Sequence, residues 1–207
     1  GHNRTVKAKK NIILSYIYKS GTMLLNFVAV PLTLEVLTNI DYGIWLTVSS
    51  LTQWFNFLDI GLGNGLRNKL TKAVAQDKYY KAKELVSTTY ALLALIMFSF
   101  IIVFLIINVF LDWTKILNVG NSYYYDLKII ASVVFVSFSI RFVLRLILTI
   151  LTALQRPSVR QFVLFITQLL NTIGIWTLIQ LDVSKPLMTF VVFLSVINLL
   201  TLVVVSV

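Results

Sequence analysis

Four ionisable side chains lie inside long apolar segments of this 207-residue sequence: Lys19, Asp59, Arg141 and Arg145. A charge in the hydrocarbon of a bilayer costs about 3 kcal/mol, so such residues pair with each other or face a polar pathway. At about 1.5 Å per residue, counted inward from the basic ends of their segments, Lys19, Asp59 and Arg145 share a depth of roughly 10 to 14 Å, and Arg141 lies one turn deeper. Two arginines one turn apart can bind phosphate oxygens in a bidentate manner, so the cluster predicts an anion site.

Internal ion pairing is the alternative interpretation of these charges. Asp59 would then pair with Lys19 on a neighbouring helix, while Arg141 and Arg145 would be held by carbonyls or would extend towards the interface. The acid is compatible with both interpretations, and we expect it to gate the site or to couple it to an ion, H⁺ or Na⁺. Once Asp59 is paired with Lys19, no further acid of the sequence is available at the depth of the two arginines, which favours anion binding there.

Uncharged polar residues follow the same helix faces. In the first apolar segment they recur at intervals of three and four residues, which places them on one face of a helix. The second, fourth and fifth segments repeat this rhythm, whereas the third is almost wholly aliphatic and aromatic. We therefore expect helices one, two, four and five to line a polar interior while the third faces lipid. The predicted cavity-lining residues are Ser15, Thr22, Asn26, Thr52, Asn56, Gln168 and Asn171.

The composition places these segments in a membrane. Charged residues make up 13% of the chain and hydrophobic residues 58%, whereas soluble domains are about 25% charged. Several segments reach the roughly 20 residues that cross a bilayer, which predicts an all-α integral membrane protein with a six-transmembrane-helix bundle. Their approximate limits are 11–34, 42–64, 85–111, 125–154, 159–181 and 186–207. Their connections are short, so consecutive helices are expected to pack side by side.

Basic residues are distributed unevenly between the connections. Most Lys and Arg fall in residues 1–10, in the connection 66–84 and before the fifth segment, whereas the connections on the other side carry only Lys115 and Lys185. The positive-inside rule then predicts a cytoplasmic basic N-terminus, residues 1–10, followed by a transmembrane lobe, residues 11–207.

Two further features concern the membrane interfaces. In the connection 66–84, apolar residues recur at near-helical spacing, which predicts a short amphipathic helix on the inner surface in contact with anionic lipid. Trp45, Trp113 and the tyrosines at 123–125 are expected to form an aromatic belt at the outer interface.

Several chemistries are excluded by residue type. The chain has no cysteine, and its histidine is His2, so disulfides, thiol chemistry and Cys-ligated metals are excluded. The glycines from Gly61 to Gly65 do not match a nucleotide-binding motif, because Leu66 stands in the last position; close helix packing and a helix end at the last glycine explain them better. We predict no cofactor and no nucleic-acid partner. The acids of the outer loops, Asp112 and Asp182, are isolated, so we predict that the protein is not an enzyme.

Two motifs of the second segment resemble a known family. They are Asp41-Tyr42-Gly43-Ile44-Trp45 and Asp59-Ile60-Gly61-Leu62-Gly63-Asn64-Gly65-Leu66-Arg67-Asn68, and they follow a basic N-terminus and a first span that contains Lys-Ser-Gly. In these elements the chain resembles bacterial polysaccharide (O-antigen, Wzx-type) flippases of the multidrug/oligosaccharidyl-lipid/polysaccharide (MOP) exporter superfamily. The later segments match that family only in hydropathy and length.

The resemblance implies the N-terminal lobe of a two-lobed transporter, so the chain is expected to be a fragment. It implies a flippase that moves undecaprenyl-diphosphate-linked oligosaccharide across the bacterial inner membrane by alternating access, for the biosynthesis of lipopolysaccharide and other surface polysaccharides. Arg141, Arg145 and Lys19 would then bind the diphosphate. The implied partners are the lipid-linked oligosaccharide, membrane lipids and other proteins of polysaccharide biosynthesis.

Two other functions stay open. A drug or metabolite exporter of the same superfamily would have a similar lobe with a more acidic cavity, and cationic dyes would bind to it. A membrane-embedded glycan polymerase or glycosyltransferase would need catalytic acids or metal ligands on a sizeable outer loop, and the outer loops of this chain are short.

Overall fold

The fold is helical throughout the part of the chain that the structure describes. The structure is a computed structural model that describes the backbone of residues 2–53, 56–181 and 183–206 and the side chains of residues 9–52, 63–181 and 183–206. A 3₁₀ turn, Asn121–Tyr123, precedes the sixth helix. The helices are α1 (His2–Val36), α2 (Asn39–Gln53), α3 (Asn56–Ala75), α4 (Tyr79–Phe110), α5 (Trp113–Leu117), α6 (Tyr124–Leu144), α7 (Leu146–Ala153), α8 (Pro157–Gln180) and α9 (Pro186–Ser206).

Among the described residues, five helical stretches are long and apolar enough to cross a membrane. They are Lys9–Val36, Tyr79–Phe110, Asn121–Ala153, Pro157–Gln180 and Pro186–Ser206. This confirms the expected class, an all-α membrane protein, but it does not confirm six spans. The predicted second segment, 42–64, corresponds to α2 and the start of α3, and Trp54 and Phe55 between these helices lie outside the described residues.

The predicted helix end after Asn64 is wrong, because α3 continues to Ala75 and a tight turn then leads into α4. Leu66, Leu70 and Ala73 are all at most 4% exposed, and they belong to a cluster that also contains Phe138 of α6. The apolar residues of 66–75 therefore pack against α4 and α7 as the end of α3, and residues 79–84 form the start of α4.

Helix α6 forms the centre of the bundle, with α4 and α9 packed against it. Its residues Leu127 and Ala131 are 1% and 0% exposed, and Phe135 stacks on Phe104 of α4 with ring centroids 4.0 Å apart. Helix α1 packs chiefly on α8 and makes few contacts with α2. The short connection after α1 therefore does not make α1 and α2 close neighbours, contrary to the expectation from loop length.

A buried asparagine organises the end of the bundle where α4 meets α6. Asn108 donates from Nδ2 to the backbone oxygen of Lys128, at 3.1 Å, and to Oγ of Ser132, at 2.9 Å. Its Oδ1 accepts from Nε1 of Trp113 at 2.5 Å. Trp113 is 4% exposed, so its predicted place in an interfacial belt is wrong. The indole anchors α5 inside the protein because its N–H finds a partner there.

Two glycines let α8 approach its neighbours closely. A Cβ built on Gly174 would lie 2.2 Å from Cε1 of Phe193 and 3.1 Å from Cδ1 of Ile197, both on α9. A Cβ on Gly21 of α1 would lie 2.7 Å from the ring of Phe165 on α8. Neither glycine has a positive φ, so close helix packing, and not backbone conformation, explains them.

We expect Gly174→Ala to lower the stability of the protein, because the added methyl group overpacks the contact between α8 and α9 and such overpacking costs about 1 to 3 kcal/mol. Gly43→Ala is the matched control, since a Cβ on Gly43 of α2 meets nothing within 4 Å. Thermal unfolding in detergent measures both. A melting temperature that falls equally in the two variants would contradict the packing explanation.

Candidate functional site

A cavity of about 530 Å³ lies between α1, α2, α6, α8 and α9. Small-molecule sites commonly measure about 300 to 1,000 Å³, so this volume is sufficient for a ligand. Trp45 and Phe190 meet edge to face in its wall, with ring centroids 5.4 Å apart. The polar lining residues are Asn26, Thr33, Ser49, Thr52, Ser137, Arg141, Gln168, Asn171, Ser195 and Asn198.

The cavity lies near the middle of the candidate spans. Ser137 is the central residue of Asn121–Ala153, and Gln168 and Ser195 lie within one residue of the centres of the two following spans. If the helices cross a bilayer, the cavity is at the depth of its midplane. At that depth the hydrocarbon offers polar groups no hydrogen-bond partner. Binding sites of transporters are commonly found there.

The hydroxyl groups of the wall present acceptors to the cavity. Thr33 Oγ1 donates its proton to the backbone oxygen of Ala29 at 2.7 Å, and Thr52 Oγ1 donates to that of Ser49 at 2.7 Å. Ser49 donates in the same way to the carbonyl of Trp45. A hydroxyl has a single proton, so once that proton is used within the helix, lone pairs are what remains. A ligand that meets these oxygens must therefore supply donors.

Polar contacts also join the helices that surround the cavity. Ser137 Oγ lies 3.2 Å from Ser195 Oγ, which links α6 to α9. On α9, Asn198 Nδ2 donates to the carbonyl of Leu194 at 2.6 Å, so its own helix uses one of its donors. These bonds fix the orientation of the wall while leaving further acceptor positions on the same side chains.

Asn171 is the exception to this pattern of satisfied groups. The residue is 9% exposed and lines the cavity, and its Oδ1 is buried without a hydrogen-bond partner. An orphaned buried acceptor costs about 1 to 3 kcal/mol, so native proteins rarely keep one without a reason. A rotation of the amide that turns this oxygen towards the cavity would let a donor group of a bound ligand satisfy it.

Arg141 is the charged residue among the described residues of the wall. The ion pairs within the described part of the chain are Lys115 with Asp112, at 3.4 Å, and Lys185 with Asp126, at 2.8 Å, and neither includes this arginine. Its guanidinium carries five donors in a planar fork that matches carboxylate and phosphate oxygens. The wall therefore combines many acceptors with one strong cationic donor.

The structure brings some of the predicted site residues together and separates others. Lys19 is exposed on α1, and Arg145 lies one turn from Arg141 at the junction of α6 and α7, outside the wall. Those in the wall are Arg141, Asn26, Thr52, Gln168 and Asn171. Ser15 and Thr22 are not among the lining residues. Their hydroxyl groups donate to the backbone carbonyls of Asn11 and Tyr18 in α1. The side chains of Asn56 and Asp59 lie outside the described side chains.

Several lining residues are missing from the predicted set, Ser137 of α6 among them. Ser195 and Asn198 stand three residues apart in the sixth apolar segment, which is the same helical spacing that identified the other faces. Thr33 lies seven residues after Asn26 and extends the stripe of α1. Its position near the end of a segment predicts an interfacial place for Trp45, but the residue contributes to the cavity wall. The belt rule considers only distance from the end of a segment, whereas burial depends on the neighbouring helices.

Asp112, the outer-loop acid that the structure describes, has a structural role. Asp112 Oδ1 accepts from the backbone N of Thr114 at 3.2 Å and from its Oγ1 at 2.6 Å, so it caps α5. The hydrogen bond from Thr114, helped by Lys115, lowers the pKa of the Asp112 carboxyl group. Asp182 lies outside the described residues. Among the residues that the structure describes, no three His, Asp or Glu side chains form a group that could hold a metal ion.

One curated relative supports a role in transport. A segment of 82 residues, 38% of the chain, is 29% identical to a Salmonella typhi protein described as a "putative O-antigen transporter", and the match covers 19% of that protein's length. No known family profile and no solved structure matches the chain. The chain thus combines several membrane-spanning helices with a partial, transporter-like similarity.

We expect a thiol in the cavity wall to meet water, because the wall is polar. Ser137→Cys should react with a charged, water-soluble thiol reagent at least about tenfold faster than Ser99→Cys, since a thiol must ionise to react. Ser99 is exposed on the apolar part of α4, outside the cavity. The chain has no other cysteine, so labelling rates in native membranes give the comparison directly. Equal rates would contradict a hydrated cavity.

We also expect the two buried asparagines to respond oppositely to truncation. Asn171→Ala removes an unpartnered acceptor and should leave the free energy of unfolding unchanged or raise it by about 1 kcal/mol. Asn108→Ala breaks three hydrogen bonds and should lower it by about 2 kcal/mol. Denaturation in mixed micelles measures both variants. A larger loss for Asn171→Ala would show that its amide has a structural partner.

Proposed function

We propose that this chain forms one lobe of a flippase that moves undecaprenyl-diphosphate-linked oligosaccharide across the bacterial inner membrane by alternating access. The observation that carries the proposal is the cavity near the middle of the spans, with its many acceptors and with Arg141. Sugar hydroxyls supply the donors that these acceptors need, and a diphosphate supplies the anion that a guanidinium binds best.

The division of labour within the cavity follows from the chemistry of its wall. Arg141 binds the diphosphate, while Arg145, one turn away, and Lys19 on α1 attract it along the path into the cavity. The amides and hydroxyls of the wall, with Asn171 among them, contact the sugars. A volume of about 530 Å³ accommodates the part of the ligand next to the lipid, and the rest of the oligosaccharide extends beyond the lobe.

The topology belongs to the same proposal. Six crossings, with α2 and the first part of α3 forming the second, place both ends of the lobe in the cytoplasm, as the distribution of Lys and Arg indicates. Asp59, in the second crossing, gates the cavity or couples it to H⁺ or Na⁺. The second lobe, which the resemblance implies, closes the cavity alternately on either side of the membrane.

The test is complementation of a strain that lacks the full-length protein, with surface polysaccharide as the readout. Arg141→Ala should lower the amount of polysaccharide by at least about tenfold, since a hydrogen bond to a charged group contributes about 1.5 to 3 kcal/mol. Arg141→Lys keeps the charge but loses the bidentate geometry and should retain an intermediate activity.

Arg156→Ala is the control, because Arg156 is exposed just before α8 and lies outside the cavity. Undiminished polysaccharide in Arg141→Ala, at an amount of protein equal to that of the control, would remove the anion site. Export of a cationic dye by the same protein would instead favour the drug-exporter alternative.

A further inference from the structure

A second pocket, which is a groove between α3 and α4, lies away from the central cavity. Its volume is about 390 Å³. Lys69 of α3 and Lys81 of α4 stand at its polar rim, and both are exposed. Leu66 and Leu85 form part of its apolar floor. None of these residues belongs to the wall of the central cavity.

The position of this groove along α4 is that of a membrane interface. The apolar stretch 92–110 is about 28 Å long at 1.5 Å per residue, close to the roughly 30 Å of the hydrocarbon core. Leu92, at one end of the groove, therefore enters the hydrocarbon. Thr88 lies one turn further out and Lys81 lies beyond it, in the headgroup region. The groove thus passes from a cationic end to an apolar end in the direction in which a lipid changes from phosphate to acyl chain.

The charge of the groove is positive, because two lysines outnumber its one acid. Lys69 and Lys81 face one acid, Glu84, and the ion pairs of the described residues include none of these three. Thr88 is an exposed residue of the same lining, and its hydroxyl group can donate to a phosphate oxygen. Basic pockets between helices at the interface are typical binding sites of anionic lipid headgroups.

The apolar end indicates a lipid and not a soluble anion. Leu92 is 46% exposed, and beyond it Leu95 and Phe98 are 63% and 61% exposed on α4. The groove therefore continues into the surface of α4 that faces the acyl chains. A phosphate ion or an acidic peptide would use the lysines but would leave this apolar end without an occupant.

Gly65 provides the room in this groove. It lies in α3 and lines the pocket, and a Cβ built on it meets nothing within 4 Å. Its φ is not positive, so any residue can adopt its backbone conformation. A larger side chain at this position would start in open space and would extend into the groove.

We propose that the groove between α3 and α4 is a binding site for one anionic phospholipid, with its phosphate on Lys69 and Lys81 and an acyl chain along Leu85 and Leu92. The proposal does not depend on the transport activity, because it concerns another pocket and other residues. A lipid bound here would join the end of α3 to the start of α4.

Native mass spectrometry of the full-length protein in nonionic detergent tests the proposal, with phosphatidylglycerol as the probe and phosphatidylcholine as the neutral reference. Lys69→Gln combined with Lys81→Gln should weaken phosphatidylglycerol binding by about 25-fold, because each lysine near an anionic lipid contributes about fivefold to the affinity. Gly65→Leu should weaken it to a similar extent by occupying the groove. Glu84→Gln should strengthen it, because the repelling acid is lost.

Matched controls separate the groove from general basicity. Lys72→Gln combined with Lys83→Gln removes the same charge from the same two helices outside the groove, and Gly43→Leu adds the same side chain at another open glycine. Both controls should bind phosphatidylglycerol like the wild type. An equal loss in the lysine control, or full binding in Gly65→Leu with an unchanged melting temperature, would overturn the proposal. Displacement of the lipid by an excess of inorganic phosphate would also overturn it, because the site would then bind a free anion.

Discussion

Hydrocarbon offers no hydrogen-bond partner, and this constraint determines where each polar group of the chain lies. Backbone groups satisfy it within the helices, and most hydroxyls satisfy it by donating to carbonyls of their own helix, as Thr33 and Thr52 do. Polar groups that cannot be satisfied in this way, such as the Arg141 guanidinium and the Asn171 amide, lie along the cavity. The cavity therefore results from the same rule that makes the rest of the bundle apolar towards the lipid.

The packing that encloses the cavity depends on a few close contacts. Gly174 lets α8 meet α9, and Gly21 lets α1 meet α8. These approaches bring the polar faces of α1, α8 and α9 to one space, while α6 provides Arg141 from the centre of the bundle. Near the end of α4, Asn108 bonds to α6 and accepts a hydrogen bond from Trp113 of α5, and these bonds hold α6 on the side that faces α4. The geometry of the wall is thus set by contacts that are themselves apolar or fully hydrogen-bonded.

Hydropathy was sufficient to locate the long apolar helices. The segments predicted at 159–181 and 186–207 begin and end within two residues of α8 and α9, while the segment predicted at 85–111 ends with α4 but begins six residues after its start. Helical spacing likewise placed Asn26, Gln168 and Asn171 on inward faces. The pairing of α1 with α8 could not be predicted, because it depends on the fit of Gly21 to the ring of Phe165 and not on connection length. For the same reason Trp45 and Trp113 were assigned to an interface: their positions along the chain resemble an aromatic belt, and only tertiary contacts reveal their burial.

The most direct measurement of the central claim is equilibrium binding of two lipids to the full-length protein: undecaprenyl diphosphate with an attached oligosaccharide, and the same lipid without sugar. The account places the sugar against the acceptors of the wall and the diphosphate against Arg141. Asn171→Ala should therefore weaken binding of the glycosylated lipid alone, by about tenfold, which is the contribution of one well-made hydrogen bond to a buried group. Arg141→Ala should weaken binding of both lipids. Equal binding of the two lipids by the wild type, with no effect of either substitution, would contradict the assignment of this cavity to a lipid-linked oligosaccharide.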